Sequence, residues 1–278
     1  MKSFLHWFSK TFVDSYLWIS AGAVLLAFQS VYSFGVYFSP ALIAVVFGGS
    51  VAIYNFHRWY KPEGLDFKSK KLVWIALSAC FAAAGLFDLE HFSPLIILVA
   101  AGLISLFYIV PFQTKRQSEA KSFRERHGFK LWMIAIAWVL MTVNLPLHWA
   151  ADSNIPLKTE ILLSLERFCF IAGITIPFDI RDVYTDDKNL RTFPQRLGLR
   201  NSKLLALILL VLSAIFAAVL FNEAVYKLST FLALFLGFML SALLILKSRE
   251  ELPKWYYSVV MDGLTLAIPL LILLFNQF

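Results

Sequence analysis

The sequence predicts an all-α integral membrane protein with nine transmembrane helices. Of its 278 residues, 59% are hydrophobic and only 15% are charged, a balance that excludes an ordinary soluble domain of this length. The apolar residues fall into stretches near the length of about 20 residues that a helix needs to cross a bilayer. These nine stretches are 17–35, 37–56, 72–88, 93–113, 131–149, 158–178, 203–221, 226–246 and 256–276.

The basic residues are concentrated in alternate connections between the spans, as the predicted number of spans requires. Of the 25 Lys and Arg residues, 22 lie in the N-terminal segment or in the connections after spans two, four, six and eight. The other connections hold only Lys158 and Lys227, and Arg167 lies within a span. Because cytoplasmic loops carry an excess of Lys and Arg, we expect a cytoplasmic N-terminus, cytoplasmic basic connections and an external C-terminus.

The first span is expected to be retained rather than cleaved as a signal peptide. About 16 mixed residues precede it, and no small-residue cleavage site follows. We therefore expect a single multi-pass domain over residues 1–278 in the cell membrane. The juxtamembrane basic residues account for the net charge of +7, so no nucleic-acid partner is expected. Cys80 and Cys169 lie in different spans without metal-ligand spacing and are expected to be packing residues.

Three aspartates at the end of the sixth span form the most informative pattern. Asp179, Asp182 and Asp186 are spaced i, i+3 and i+7, which on a continuous helix places them on one face, within about 60° of each other. Carboxylates so close together repel one another unless a cation neutralises them, and Mg²⁺ prefers such oxygen ligands. The alternative interpretation is a solvated loop.

Two further basic connections carry polar clusters. The connection after span two begins with Tyr54-Asn55-Phe-His57-Arg58 and continues to Glu63-Gly64. The connection after span four begins at Tyr108 and holds Lys115 and Arg116. A solvated loop, or attraction to lipid headgroups, is the alternative interpretation of both clusters.

The aspartate run resembles the second aspartate-rich motif of the UbiA superfamily of intramembrane prenyltransferases. The likeness covers Asp179-Ile-Arg-Asp182-x-x-x-Asp186, followed by Arg191-Thr-Phe-Pro194 and Leu197-Gly198, and is nearest to the branch with menaquinone, chlorophyll and archaeal ether-lipid enzymes. It implies nine transmembrane helices around a central cavity, with motifs on the loops after helices two and six. It also implies that Asp179, Asp182 and Asp186 are catalytic and hold Mg²⁺ on an isoprenyl diphosphate.

The first motif departs from the family pattern Asn-Asp-x-x-Asp-x-x-x-Asp. Aligned from Asn55, the three acidic positions are Phe56, Trp59 and Glu63, so Asn55 and Glu63 are the metal ligands that the resemblance leaves there. Either His57, Arg58 and Lys61 supply fixed positive charge to the diphosphate, or the activity is altered or lost. Arginine can bind phosphate oxygens bidentately without a metal.

The expected function is transfer of an isoprenyl group from a polyprenyl diphosphate to a lipid-soluble or aromatic acceptor. Mg²⁺ is the expected cofactor, and the substrate-binding residues are expected to be Asn55, Arg58, Tyr108, Lys115 and Arg116. The alternative is a catalytically inactive member that acts as a lipid-binding or assembly scaffold. A transporter is less favoured, because the sequence has no half-to-half repeat.

Three ionisable residues within the spans have two interpretations. Glu166 and Arg167 lie in the sixth span and Asp262 in the ninth, where charge is costly and usually finds a partner or a cavity. A pairing of Arg167 with Asp262 or with a neighbour of Glu166 is the structural interpretation. A polar wall of the acceptor cavity is the functional one. Asn144 and His148 lie towards the outer side and are assigned no catalytic role.

Overall fold

The computed structural model describes residues 7–61, 64–65, 70–109, 129–149, 155–186 and 191–277. Within these ranges, each predicted apolar stretch overlaps one helix. The helices are α1 Leu17–Tyr32, α2 Pro40–Trp59, α3 Lys70–Asp88, α4 Ser93–Ile109, α5 Phe129–Trp149, α6 Leu157–Arg181, α7 Phe193–Asn222, α8 Leu228–Lys247 and α9 Tyr256–Phe275. Two short antiparallel strands, β1 Tyr60–Lys61 and β2 Gly64–Leu65, follow α2.

Seven of these helices are long and apolar enough to cross a membrane, and α1 and α4 are apolar but shorter. Apolar side chains also cover the outside of the bundle. Val73, Leu77 and Phe81 of α3 are each at least half exposed, as expected for a helix that faces lipid. The chain is therefore a multi-pass helical membrane protein.

Helices that are neighbours in sequence mostly pack as neighbours in space, and α9 closes the bundle by packing against α1. The Trp18 indole N–H donates to the Val259 carbonyl, 3.1 Å away, across this closure. Helix α3 packs on α2, whereas α4 packs mainly on α5. A cavity remains between α2, α4 and α5.

Successive helices run in alternating directions. Helices α2, α4 and α6 therefore end on the same side of the bundle as the one on which α5, α7 and α9 begin. We call this side of the bundle the motif end.

The close packing of α2 on α3 depends on Gly48. A Cβ atom there would lie 2.5 Å from the Ser78 carbonyl oxygen and 2.8 Å from the Ala82 nitrogen, and neither backbone atom can swing aside. Gly48→Ala is therefore expected to destabilise the protein by about 1–3 kcal/mol, the usual cost of overpacking. The measurement is the apparent melting temperature of the purified protein in one detergent.

The matched control is Gly49→Ala. Its Cβ would meet only the Met141 methyl carbon, at 3.7 Å, and alanine favours a helix over glycine by about 1 kcal/mol. The control is expected to melt at the same temperature as the unchanged protein or slightly higher. If both variants melt alike, α2 and α3 are not packed this closely.

The motif end differs from the expected continuous helix. Helix α6 ends at Arg181, and residues 182–185 form turns. Only Asp179 of the three aspartates is therefore helical. Asp186 is held by a backbone hydrogen bond from its N–H to the Asp182 carbonyl, at 2.8 Å. Helix α7 begins ten residues before the predicted span, and its backbone is interrupted at Gly198, where φ is 77°.

The buried charges of α6 do not pair with Asp262. The Arg167 guanidinium, 1% exposed, donates to the Leu26 carbonyl and the Thr142 hydroxyl, both at 3.1 Å. Glu166 lies beside the hydroxyls of Ser213 and Tyr226, each 3.4 Å from a carboxylate oxygen. Of the two pairings that the structural interpretation offered, the Arg167–Asp262 pair is therefore not formed, because the polar groups that meet Arg167 come from α1 and α5.

Other expectations for single residues are met in part. Asn144 and His148 bind Glu160 near the start of α6, at 2.7 and 3.1 Å, and so lie at the end opposite the motifs. Cys169 is buried as predicted. Cys80 is instead exposed on α3, so its expected role in packing within the bundle was wrong.

Candidate functional site

The Lys130 ammonium lies between two of the three aspartates. Lys130 is the second residue of α5, and its Nζ atom is 2.5 Å from Asp179 Oδ1 and 4.0 Å from Asp186 Oδ2. The Asp179 side chain is 4% exposed, and those of Lys130 and Asp186 are 17% and 18% exposed. A protein cation therefore offsets the repulsion between these carboxylates.

The third aspartate has a different cation partner. Asp182 accepts two hydrogen bonds from its neighbour Arg181, at 2.7 and 2.6 Å. The Arg181 guanidinium also lies 5.5 Å from the ring centres of Phe178 and Tyr257, an arrangement that favours a cation. The end of α6 and the start of α9 thus meet at the contact between Arg181 and Tyr257.

These contacts do not form a complete magnesium site. Among the described residues, no group of three His, Cys, Asp or Glu side chains could hold a metal ion. Mg²⁺ requires oxygen ligands in near-octahedral geometry, whereas each of these aspartates lies beside a Lys or Arg side chain. The predicted ligand Glu63 and the predicted diphosphate contacts Lys115 and Arg116 lie outside the described residues.

Asn55 lies at the same end of the bundle but faces the N-terminal segment. Its Nδ2 donates to the carbonyls of Ser15 and Val51, at 3.1 and 2.9 Å. Its Oδ1 is buried and has no hydrogen-bond partner within the described ranges. The contacts that the structure shows for Asn55 therefore hold α2 to the segment before α1 rather than joining it to the aspartates.

Arg58 also points towards that segment. Its Nε donates to the Tyr16 hydroxyl at 2.8 Å, and Tyr16 stacks on Tyr54. Burial raises the pKa of Tyr16, so its neutral hydroxyl accepts this bond at ordinary pH. The aromatic residues at the first-motif positions contact each other: Phe56 lies 6.0 Å, between ring centres, from both Trp59 and Tyr60.

An apolar cavity of about 140 Å³ lies beside these groups. His57 and Tyr108 stack on each other at its α2–α4 wall, with ring centres 5.4 Å apart. On the α5 wall, the Trp138 indole N–H donates to the Tyr54 hydroxyl at 3.2 Å. The remaining lining is Ala23, Ser50, Ile53, Ile104, Ser105, Met133, Ile134, Ala137, Met141 and Thr142.

Lys130 belongs to the same face of α5 as the cavity lining. Met133 and Ile134 follow it at i+3 and i+4, and such residues share one helix face. The lining then continues along α5 to Thr142, so Lys130 stands one turn beyond the cavity towards the motif end. The structure thus brings Lys130, Asp179 and Asp186 together, one turn beyond a cavity that Tyr108 helps to line.

Lys130 is a functional candidate that the sequence analysis missed. There it counted only as one of the basic residues that set the topology. Two features of the sequence could have indicated it. Lys130 precedes the apolar residues Met133 and Ile134 by three and four positions. It also lies at the start of the fifth helix, which in an antiparallel bundle is at the end where the sixth helix carries the aspartates.

Solved structures resemble the whole chain. A UbiA homologue from Aeropyrum pernix K1, in its apo form, matches 93% of this chain and 96% of its own length, with TM-score 0.69 and 13% identity. Digeranylgeranylglyceryl phosphate synthase matches 100% and 98%, with TM-score 0.60 and 16% identity. A UbiA homologue from Archaeoglobus fulgidus, bound to GPP and Mg²⁺, matches 95% and 100%, with TM-score 0.57 and 14% identity.

Comparisons with family models and with curated proteins give no match. The structural likeness nevertheless spans nearly every residue. Together with the apolar helices, it defines the class as helical-bundle membrane proteins. Within that class, the chain has the UbiA fold. The resemblance recognised from the aspartate run is thereby confirmed at the level of the fold.

Proposed function

We propose that this protein is a membrane prenyltransferase that moves an isoprenyl group from a polyprenyl diphosphate to a lipid-soluble or aromatic acceptor. The observation that carries the proposal is a cluster of cations and carboxylates one helical turn beyond an apolar, aromatic-lined cavity. The UbiA fold supports the same activity, since one solved structure with that fold holds GPP and Mg²⁺. The cavity would hold the isoprenyl chain, and the cluster would face its diphosphate.

The chemistry follows from charge. The bond between the allylic carbon and the diphosphate oxygen breaks, and its electron pair leaves with the diphosphate. Fixed positive groups stabilise the charge that accumulates on the leaving oxygens. The acceptor then bonds to the allylic carbon and loses one proton, which passes to the released diphosphate or to water. An apolar cavity protects the allylic cation from water, and aromatic faces such as those of Tyr54, Tyr108 and Trp138 stabilise it.

The candidate residues take the following roles. Lys130, Arg181 and Arg58 supply positive charge at the motif end, and Tyr108 joins the cavity to the charged cluster. Asp179, Asp182 and Asp186 position these cations and are the proposed catalytic carboxylates. Lys115 and Arg116 remain proposed diphosphate contacts, and Asn55 and Glu63 remain proposed ligands of any Mg²⁺ bound at the first motif. The solved neighbour with GPP and Mg²⁺ supports testing Mg²⁺ as a cofactor here.

We further propose that the chain forms one domain over residues 1–278, crosses the cell membrane nine times and keeps its motif loops in the cytoplasm. The alternation of basic connections along the sequence supports this orientation. The expected partners are the bilayer, a polyprenyl diphosphate and a lipophilic or aromatic acceptor.

One observation favours a second candidate, a catalytically inactive scaffold with the UbiA fold. Phe56 and Trp59 occupy two first-motif acid positions, and Phe56 lies against both Trp59 and Tyr60. Such a cluster cannot bind a metal. A scaffold would keep the cavity for a lipid without releasing diphosphate.

Diphosphate release from labelled isoprenyl diphosphates distinguishes the two candidates. Purified protein is incubated with geranyl to geranylgeranyl diphosphate and a panel of lipophilic acceptors, with and without Mg²⁺. Asp182→Ala is expected to reduce release by at least about tenfold, because Arg181 loses the carboxylate that orients it. Release by the unchanged protein that Asp182→Ala does not affect would contradict the proposed role of Asp182, and no release with any pair would favour the scaffold.

The matched control is Glu223→Gln. This carboxylate is also ion-paired, to Lys158 at 2.7 Å, but both side chains are largely exposed and lie at the end opposite the motifs. Exposed ion pairs contribute about 0–1 kcal/mol. The control should therefore release diphosphate at the rate of the unchanged protein.

A further inference from the structure

Asp179 and Asp186 already share a cation that belongs to the protein. The Lys130 Nζ atom is 2.5 Å from one carboxylate and 4.0 Å from the other. Asp179 is nearly fully buried, so the close contact is only weakly screened by water. This arrangement departs from the divalent ion that the sequence resemblance implies between these aspartates.

An ammonium and a divalent cation compete for such a pair. A lysine contributes one positive charge and three N–H donors but no ligand atom, and it repels a second cation placed within a few ångströms. While Lys130 is protonated and in place, Asp179 cannot also serve as a ligand of Mg²⁺ in the same position.

We infer that Lys130 is the resident cation of the second-motif site and replaces one divalent ion between Asp179 and Asp186. Its role in ionising a diphosphate depends on the proposed function, but its occupation of the carboxylate pair does not. Lys130 lies one turn beyond the cavity lining on the same face of α5, so its positive charge is at the end of the cavity where the proposed function expects the diphosphate.

The loss of acids at the first motif agrees with this inference. With Phe56 and Trp59 in place of two aspartates, the chain has fewer carboxylates with which to hold a second ion. A fixed ammonium supplies positive charge without any of these ligands. The site would then need fewer divalent ions to bind the same diphosphate.

Binding of Mn²⁺, followed by the loss of the free-ion electron paramagnetic resonance signal, tests the inference without substrate. The unchanged protein and Asp179→Asn should bind the same amount of Mn²⁺. Lys130→Met removes the charge and keeps an unbranched side chain that is one atom shorter. At the Asp179–Asp186 pair, this variant should bind Mn²⁺ at least about tenfold more tightly than the unchanged protein does. The site should disappear again in Lys130→Met combined with Asp179→Asn.

Lys130→Arg is the matched control, because it keeps the positive charge and should gain no Mn²⁺ site. The inference is overturned if Asp179→Asn lowers Mn²⁺ binding in the otherwise unchanged protein, a comparison that needs no lysine variant. It is also overturned if Lys130→Met folds and gains no site.

A second measurement connects this site to the proposed function. Geranyl diphosphate should bind the unchanged protein in EDTA with an affinity within about threefold of that in Mg²⁺, whereas Lys130→Met should need Mg²⁺. If Mn²⁺ binding follows the expectation and geranyl diphosphate does not bind at all, the proposed function fails while the inference about Lys130 stands.

Discussion

Ala137→Trp is expected to lower kcat/KM for a polyprenyl diphosphate by about 10³-fold. Ala137 is one of the α5 residues that line the cavity. An indole there would take the volume of about one five-carbon isoprene unit. Since each buried methylene contributes about 0.8 kcal/mol, excluding one such unit costs about 4 kcal/mol, or about three powers of ten.

Ile136→Trp provides the matched control. Ile136 is the adjacent residue on α5 and is 41% exposed on the outside of the bundle, so the same indole would face lipid. This variant should keep the activity of the unchanged protein. Ala137→Trp should still bind inorganic diphosphate, which does not use the cavity. Equal loss of both ligands would show that the cavity does not hold the isoprenyl chain.

Arg167→Met is expected to lower the free energy of unfolding by about 3–5 kcal/mol, the effect of breaking a buried charge arrangement. The guanidinium donates to the Leu26 carbonyl of α1 and to the Thr142 hydroxyl of α5, and lies 3.4 Å from the Ser30 hydroxyl. It therefore joins three helices. Methionine fills a similar volume but leaves the Leu26 carbonyl without this donor and leaves Glu166 without its adjacent positive charge.

A double-mutant cycle with Glu166→Gln separates these two losses. If the neighbouring charges compensate each other, the double variant should be more stable than the sum of the single effects predicts, by about 1 kcal/mol or more. The variant Arg167→Lys keeps the charge but not the planar fork of donors, and its stability should be intermediate. Apparent melting temperatures in one detergent provide the measurement, and a melting temperature of Arg167→Met equal to that of the unchanged protein would contradict the structural role.

The helices could be predicted from the sequence because the bilayer restricts which backbone structures can cross it. Backbone polar groups in a bilayer must be satisfied within a helix, so an apolar stretch of sufficient length indicates one element. The stretch 158–178 became α6 over Leu157–Arg181. The predicted start of the seventh span at 203 missed the amphipathic first turns of α7 from Phe193, because a polar segment such as Gln195-Arg196 carries no membrane signal.

The candidate site could be predicted only in part. The spacing of Asp179, Asp182 and Asp186 identified the functional end of the bundle, but helical geometry was assumed past Arg181, where the chain turns. The partners of the aspartates were also missed. Arg181 is adjacent in sequence to Asp182, and Lys130 is 49 residues from Asp179, so neither spacing nor periodicity could distinguish a protein cation from a metal ion.

The sequence by itself determined that this is a helical membrane protein, where the apolar part of each helix lies and which loops carry charge. These features depend on local composition and on the thickness of a bilayer. Only the tertiary structure decided which cation meets which carboxylate. Helices α5 and α6 pack side by side, and that contact brings Lys130 between Asp179 and Asp186. The Coulomb energy of a pair of charges depends on the distance between them. Helix packing, rather than order along the chain, sets that distance.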